Sequence, residues 1–207
     1  MISRKEIESR LNCEDAKKRL VIDPFFAKLR EGQDRAVSVD FHLGNRFLVP
    51  KLRATPEKGA KLDADHTNYH GIFVSNQREV TLHPGQHILA VTLEWFKLPH
   101  DLMGHVYGRS HWARRGLTIS LAMAIHPGAF GNLALELYNA GAASIPLRPG
   151  RAIGQLFLSL VESLDEPSEY DAIHQRWSAM TEPEVRIAGY SPTEKLFFRE
   201  ENVTTNS

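Results

Sequence analysis

Val37-Ser38-Val39-Asp40-Phe41-His42-Leu43 alternates strictly between apolar and polar side chains. Successive side chains of a strand point to opposite faces, so Val37, Val39, Phe41 and Leu43 share one face and Ser38, Asp40 and His42 the other. The stretch reads as a half-buried strand with one polar side, ended by Gly44-Asn45. The same period recurs further along. Within residues 133–138, Leu133, Leu135 and Leu137 share a face, and Ala134, Glu136 and Tyr138 take the opposite one. Residues 78–82 and 86–95 read as two strands joined tightly through Pro84-Gly85, and the device returns at Arg148-Pro149-Gly150-Arg151. Many short strands separated by Gly and Pro turns predict a mostly β sandwich or barrel.

Helical signals are few. Ser3 followed by Glu6 is a capping-box pattern, and Ile7 with Leu11 supplies the apolar stripe of a short first helix. Residues 51–70 are polar and turn-rich, which suggests a surface loop or insertion. Residues 169–180 carry a helical pattern, and beyond Thr181 the chain reads as a tail. No repeat, low-complexity run or linker divides the sequence, so one domain is expected over residues 1–207, with 181–207 as a C-terminal tail.

At 207 residues and 42% apolar composition, such a domain can bury a real core without staples. The 25 basic residues match 25 acidic ones, which argues against a general nucleic-acid coat. Any polyanion site has to be local. Cys13 is the only cysteine, so neither an internal disulfide nor a multi-cysteine zinc site can form, as expected of a reduced intracellular protein. Met1-Ile2-Ser3-Arg4-Lys5-Glu6 has no apolar signal core, and no apolar run approaches the ~18 residues of a membrane span. A cytoplasmic location, with no membrane partner, is the expectation.

Ten histidines invite a metal reading, and His66/His70 and His83/His87 have the i, i+4 spacing of ligands on one helix face. The second pair encloses Pro84-Gly85, which a helix would not tolerate, and the first lacks the glutamate of a zincin motif. They read as solvated loop histidines, and no protein-bound metal is expected.

The segment Gly108-Arg109-Ser110-His111-Trp112-Ala113-Arg114-Arg115-Gly116 is more informative. Gly108 allows close backbone approach, Ser110 is a favourable helix N-cap, and Gly116 stops the turn. Backbone N–H groups at that start, beside the Arg109 guanidinium, form an anion site that does not depend on net charge. Ser110 and Arg114, four apart, share a face. A capped turn with a solvated arginine face is the plainer alternative. Glu136, opposite three leucines, is ordinarily a solvent-facing carboxylate; covered by another element or chain, its pKa would rise and it would become a proton shuttle. The stretch Ile125-His126-Pro127-Gly128-Ala129-Phe130-Gly131 is a turn, either plain or bringing an imidazole and a backbone edge to a ligand.

Six pieces stand in a recognisable order: residues 37–47, Leu82-His83-Pro84-Gly85-Gln86, Leu89-Ala90-Val91-Thr92-Leu93-Glu94, Gly108-Arg109-Ser110, Leu135-Glu136-Leu137-Tyr138-Asn139, and residues 148–157. Together they resemble the dCTP deaminase family of the trimeric dUTPase-like superfamily over residues 1–162. The resemblance implies a distorted β-barrel or jelly-roll with a few short helices, a homotrimer, and active sites at subunit contacts. It implies conversion of dCTP to dUTP and ammonia, with magnesium carried on the substrate triphosphate and no zinc. By position, Glu136 matches the catalytic glutamate, Ser110 the serine beside the attacking water, and Arg114 the arginine near the base. Arg109 and Gln155 match triphosphate contacts. His111, Ala124, His126, Tyr170 and Arg176 complete the substrate-binding set.

Two close relatives remain as alternatives: a bifunctional deaminase-dUTPase or related pyrophosphohydrolase, and a non-catalytic nucleotide-binding homologue. Plain dUTPases lack a glutamate at the position of Glu136 and carry a Gly-rich C-terminal motif that is not found here. Three departures bear on substrate choice. His126 stands where the family usually has Asp before Pro-Gly, which places imidazole where a carboxylate would meet the sugar hydroxyl. Residues 119–125 are one residue short, and a one-residue slip reverses strand faces unless a bulge or turn absorbs it. Tyr170 and Arg176 are the counterparts of the family's triphosphate-covering Tyr and Lys, while residues 181–207 match no known motif.

Overall fold

The computed structural model of the chain describes residues 1–26, 36–51, 69–119 and 124–162. The alternating stretch does form a strand, β2 (Ser38–Pro50), and Val39, Phe41 and Leu43 are buried. Val37 precedes it and is 38% exposed. The strand does not stop at Gly44-Asn45. Instead its register against β5 (His87–Lys97) shifts between Leu43 and Phe47. The reason is steric: a Cβ on Gly44 would stand 2.8 Å and 2.9 Å from the carbonyl oxygens of Val91 and Thr92, so only glycine lets β5 cross there. A turn residue read locally as a stop is a bulge between two long strands.

β5 shifts again, against β9 (Phe130–Asn139), between Val91 and Trp95. Side chains satisfy the displaced backbone. Thr92 Oγ1 donates to the Glu94 carbonyl at 2.8 Å and accepts from the Leu133 N–H at 2.9 Å. Asn132 Nδ2 donates to the carbonyls of Thr92 and Glu94, both at 3.0 Å. The buried Glu94 carboxylate is met by His42, through its backbone N–H at 2.9 Å and its Nδ1 at 2.5 Å. A buried charge requires such pairing.

These bulges increase the curl of an antiparallel sheet in the order β7 (Leu117–Ile119), β9, β5, β2, β11 (Ala152–Leu160), β6 (Leu102–Gly108) and β8 (Ala124–Ile125). β1 (Val21–Asp23) adds to β5 and β3 (Tyr69–Phe73) adds to β2. The sheet curls until its first strand nears its penultimate one: Gly108 of β6 faces the Ile119 side chain of β7, 3.8 Å from where its Cβ would stand. The result is the distorted barrel implied by the resemblance. A smaller sheet pairs β4 (Val80–Leu82) with β10 (Ile145–Leu147). Gly85 (φ 73°) and Gly150 (φ 80°) turn each of these short strands into a long one, so both tight connections are corners between sheets.

The inward faces bury Phe41, Phe47, Phe96, Leu135, Leu137 and Leu156 at 1% exposure or less, each contributing about 1.5–3 kcal/mol. The first helix, α1 (Arg4–Leu11), is capped by Ser3, whose hydroxyl accepts from the Glu6 N–H at 3.3 Å. The Glu6 carboxylate pairs with Arg10 at 3.0 Å, and Arg10 reaches Asp101 at 2.8 Å, pinning the helix to the β5–β6 connection. The helical pattern of residues 169–180, the tail, and most of the polar stretch at 51–70 lie outside the described residues. No helix among the described residues is long and apolar enough to cross a membrane.

Candidate active site

β6 leads directly into α2 (Ser110–Ala113), a single turn fixed by the buried Trp112, whose Nε1 donates to the Ala152 carbonyl at 2.9 Å. Ser110 is not the N-cap. Arg109 holds that extended position (φ −76°, ψ 139°), its N–H bonded to the Ile153 carbonyl, and Ser110 is the first helical residue. β11 therefore sets where the turn begins, overriding the capping preference of serine. The Ser110 side chain is exposed, and the Arg109 side chain at the cap position makes no capping bond. The amides expected to hold an anion are partly spent: those of Trp112 and Ala113 bond the Arg109 carbonyl, and that of Arg114 bonds Ser110. Gly116 (φ 90°) ends the turn as expected, so close to Gly141 that a Cβ would stand 2.4 Å from its nitrogen.

The cations around this turn are concentrated. The exposed His111 lies against the Trp112 ring, centroids 4.8 Å apart, and the Arg115 guanidinium sits 5.6 Å from that ring's centroid. Desolvation, followed by the positive charges of Arg109, Arg115 and Arg151, holds the His111 pKa below its ordinary value. A chain of zero net charge thus carries a local positive cluster.

Gln155 of β11 lies in register with Asp40 of β2 on one side and Tyr107 of β6 on the other. Its Nε2 donates to Asp40 Oδ1 at 3.1 Å, and Arg109 Nη1 donates to Asp40 Oδ2 at 3.1 Å. The two residues expected at the triphosphate are thereby brought together by a third, Asp40, which is absent from the expected site set. Its sequence signals are its place on the polar face of the first strand and its position within residues 37–47, and neither names its partners.

Glu136 is half-buried on the outer face of β9, between the fully buried Leu135 and Leu137. It makes no hydrogen bond or ion pair among the described residues, and none joins it to Ser110 or Arg114. The two regions nevertheless border each other, because Leu137 pairs with Ile119, which faces Gly108. Arg114 lines a cleft of about 640 Å³ with Arg115, Gly116 and residues 141–146. Asn139 shapes its wall, donating from Nδ2 to the carbonyls of Leu82 (2.9 Å) and Ala143 (2.8 Å) while Oδ1 accepts from the Gly141 N–H (2.9 Å).

Ala124 is exposed in β8, opposite His105 of β6. His126 opens the turn into β9, its carbonyl accepting from the Ala129 N–H at 3.2 Å, with Gly128 (φ 76°) at the corner against the His100 ring. Tyr170, Arg176, His66 and residues 120–123 of the shortened segment lie outside the described residues. His83 Nδ1 meets Ser144 Oγ at 3.1 Å, so this histidine belongs to a turn contact. Among the described residues, no three His, Cys, Asp or Glu side chains form a group that could hold a metal ion.

The fold is that of the crystal structure of 2′-deoxycytidine 5′-triphosphate deaminase from Agrobacterium tumefaciens. The match has a TM-score of 0.55 at 18% identity and covers 85% of this chain and 52% of that one, so this chain spans about half of that length. A family model described as dCTP deaminase-like matches residues 1–161, and the chain belongs to that family. Among its relatives, "dCTP deaminase, dUMP-forming" of Methanosphaera stadtmanae is 34% identical over 81% of this chain and 85% of its own length. The protein of the same description from Persephonella marina is 37% identical over 73% and 79%. "dCTP deaminase" of Shewanella amazonensis is 41% identical over 58% of this chain and 66% of its own length.

Proposed function

We propose that this protein deaminates dCTP by hydrolysis, releasing dUTP and ammonia, with Glu136 as the proton-moving group. The observation that carries the reading is a carboxylate with no partner among the described residues, half-buried between core leucines on a strand that borders the Gly108-Arg109-Ser110 corner. The family and the names of its relatives supply the substrate class.

Replacing the 4-amino group of cytosine requires water to attack C4 and a proton to reach the departing nitrogen. The Glu136 carboxylate takes a proton from water as its oxygen bonds C4, and passes that proton to N3. It then moves the proton of the new hydroxyl to the amino nitrogen. The C4–N bond breaks, ammonia leaves and C4 becomes a carbonyl. One carboxylate acting first as base and then as acid contributes about 10²- to 10⁴-fold. Ser110 holds the water, and the Arg114 guanidinium stands at the base. Arg109, His111 and Gln155 take the triphosphate, which brings its own magnesium as part of the substrate. Ala124 and His126 flank the pyrimidine and sugar, and Tyr170 and Arg176 cover the phosphates.

Among the described residues Glu136 makes no hydrogen bond or ion pair with Ser110 or Arg114, which supports a homotrimer in which neighbouring copies complete each site. With dCTP and magnesium the protein is expected to release ammonia, and Glu136→Gln to reduce the rate at least about 10²-fold with the fold unchanged. Because several relatives are named dUMP-forming, the assay scores pyrophosphate beside ammonia. Nucleotide binding with neither product in the parent protein would overturn the reading.

A further inference from the structure

Asp40 has no step in the chemistry proposed above, yet it touches two residues assigned to the triphosphate. Its two oxygens are divided between them: Oδ2 accepts from Arg109 Nη1 and Oδ1 from Gln155 Nε2, each at 3.1 Å. Asp40 and Gln155 are directly opposed on β2 and β11, and Arg109 lies one residue beyond β6, which flanks β11 on its other side. The carboxylate is thus anchored on a rigid sheet and reaches one residue on the adjacent strand β11 and one just past the strand beyond it, β6. We propose that Asp40 is a positioning residue that orients Arg109 and Gln155 for the triphosphate before substrate arrives. The inference rests on the assignment of those two residues to the phosphates.

The geometry leaves both partners able to bind. Arg109 has five N–H donors, of which only one at Nη1 is committed to Asp40, so the others remain for phosphate. One N–H of Gln155 is bound, which fixes the amide orientation and leaves its second N–H and its carbonyl oxygen available. Arg109 and Asp40 are 34% and 37% exposed at their side chains, so the pair does little for stability. Its effect is to hold a flexible guanidinium in one place, and pre-organisation of this kind improves binding by removing an ordering cost.

The test is a steady-state comparison of the parent with Asp40→Ala, Asp40→Asn, Arg109→Ala and Asp40→Ala in an Arg109→Ala/Gln155→Ala background. Asp40→Ala should raise KM for dCTP and the inhibition constant of inorganic tripolyphosphate up to about tenfold, with kcat within about twofold, since the ordering cost of one rotamer-rich side chain converts to about that factor at most. Asp40→Asn has one acceptor oxygen for two donors and should fall between parent and alanine. In the double-alanine background, removal of Asp40 should change nothing further, because it acts through those residues. An unchanged or lowered KM in Asp40→Ala, with Arg109→Ala raising KM, would overturn the positioning role alone. An unchanged KM in Arg109→Ala would overturn the phosphate assignment and the inference with it. Loss of kcat with KM unchanged in both Asp40 variants would assign Asp40 to the chemistry instead.

Discussion

His111 shows how a single side chain reports on what the site binds. In the protein without ligand, desolvation and the charges of Arg109, Arg115 and Arg151 hold its pKa below the ordinary 6.5, so the neutral ring is favoured. As pH falls below 6.5 the unfolded chain takes up this proton before the folded one, so the linkage disfavours the fold on acidification until the folded ring is also charged. A bound triphosphate reverses the local field and favours the imidazolium. Binding should therefore take up protons, and tripolyphosphate affinity should rise as pH falls through the window between the unbound and bound pKa values. Calorimetry in two buffers of different ionisation enthalpy counts the protons; the uptake is expected to vanish in His111→Gln. Residue identity made His111 and Glu136 visible as candidates, since imidazole and a carboxylate opposite leucines each carry chemistry locally. Asp40 was not visible, because its partners lie 69 and 115 positions away and no local pattern marks them.

At the scale of elements, period and turn chemistry were legible where they act locally. Val39, Phe41 and Leu43 face the core because a strand alternates, and Gly85 and Gly150 sit in turns because φ is positive there. What the sequence could not show was which segment passes nearby. Gly44 and Asn45 have the composition of a strand end, but β5 crosses Gly44 and the strand continues to Pro50. Ser110 has the preference of an N-cap, but the bond of the Arg109 N–H to Ile153 places the cap one residue earlier. Gly44→Ala tests the crossing. The added methyl would meet the carbonyl oxygens of Val91 and Thr92 at 2.8 Å and 2.9 Å, and backbone cannot swing aside as a flexible side chain can. A loss of about 1–3 kcal/mol is expected in urea denaturation, the cost of overpacking a rigid site. An unaltered midpoint would mean that β2 and β5 separate there without penalty.

The molecule as a whole combines zero net charge with cations gathered at one corner, which suits a small polyanion better than an extended one. It also places the proposed catalytic residues in two groups, Glu136 on β9, and Ser110 with Arg114 at the β6–α2 corner, with no hydrogen bond or ion pair joining Glu136 to the other two among the described residues. In the homotrimer proposed above, a contact between one copy's β9 region and the next copy's corner would make every site draw on two chains. Glu136→Gln and Ser110→Ala are then each inactive alone but defective in different halves of the site. Unfolded together in equal amounts and refolded, they should form mixed trimers in which a site is intact when one chosen neighbour supplies Glu136 and the other Ser110. Random assortment makes that about one site in four, so about a quarter of the parent ammonia release should return. If mixing restores nothing while each variant still assembles, the carboxylate and the hydroxyl act within one chain, and the neighbouring copies supply neither group to the other's site.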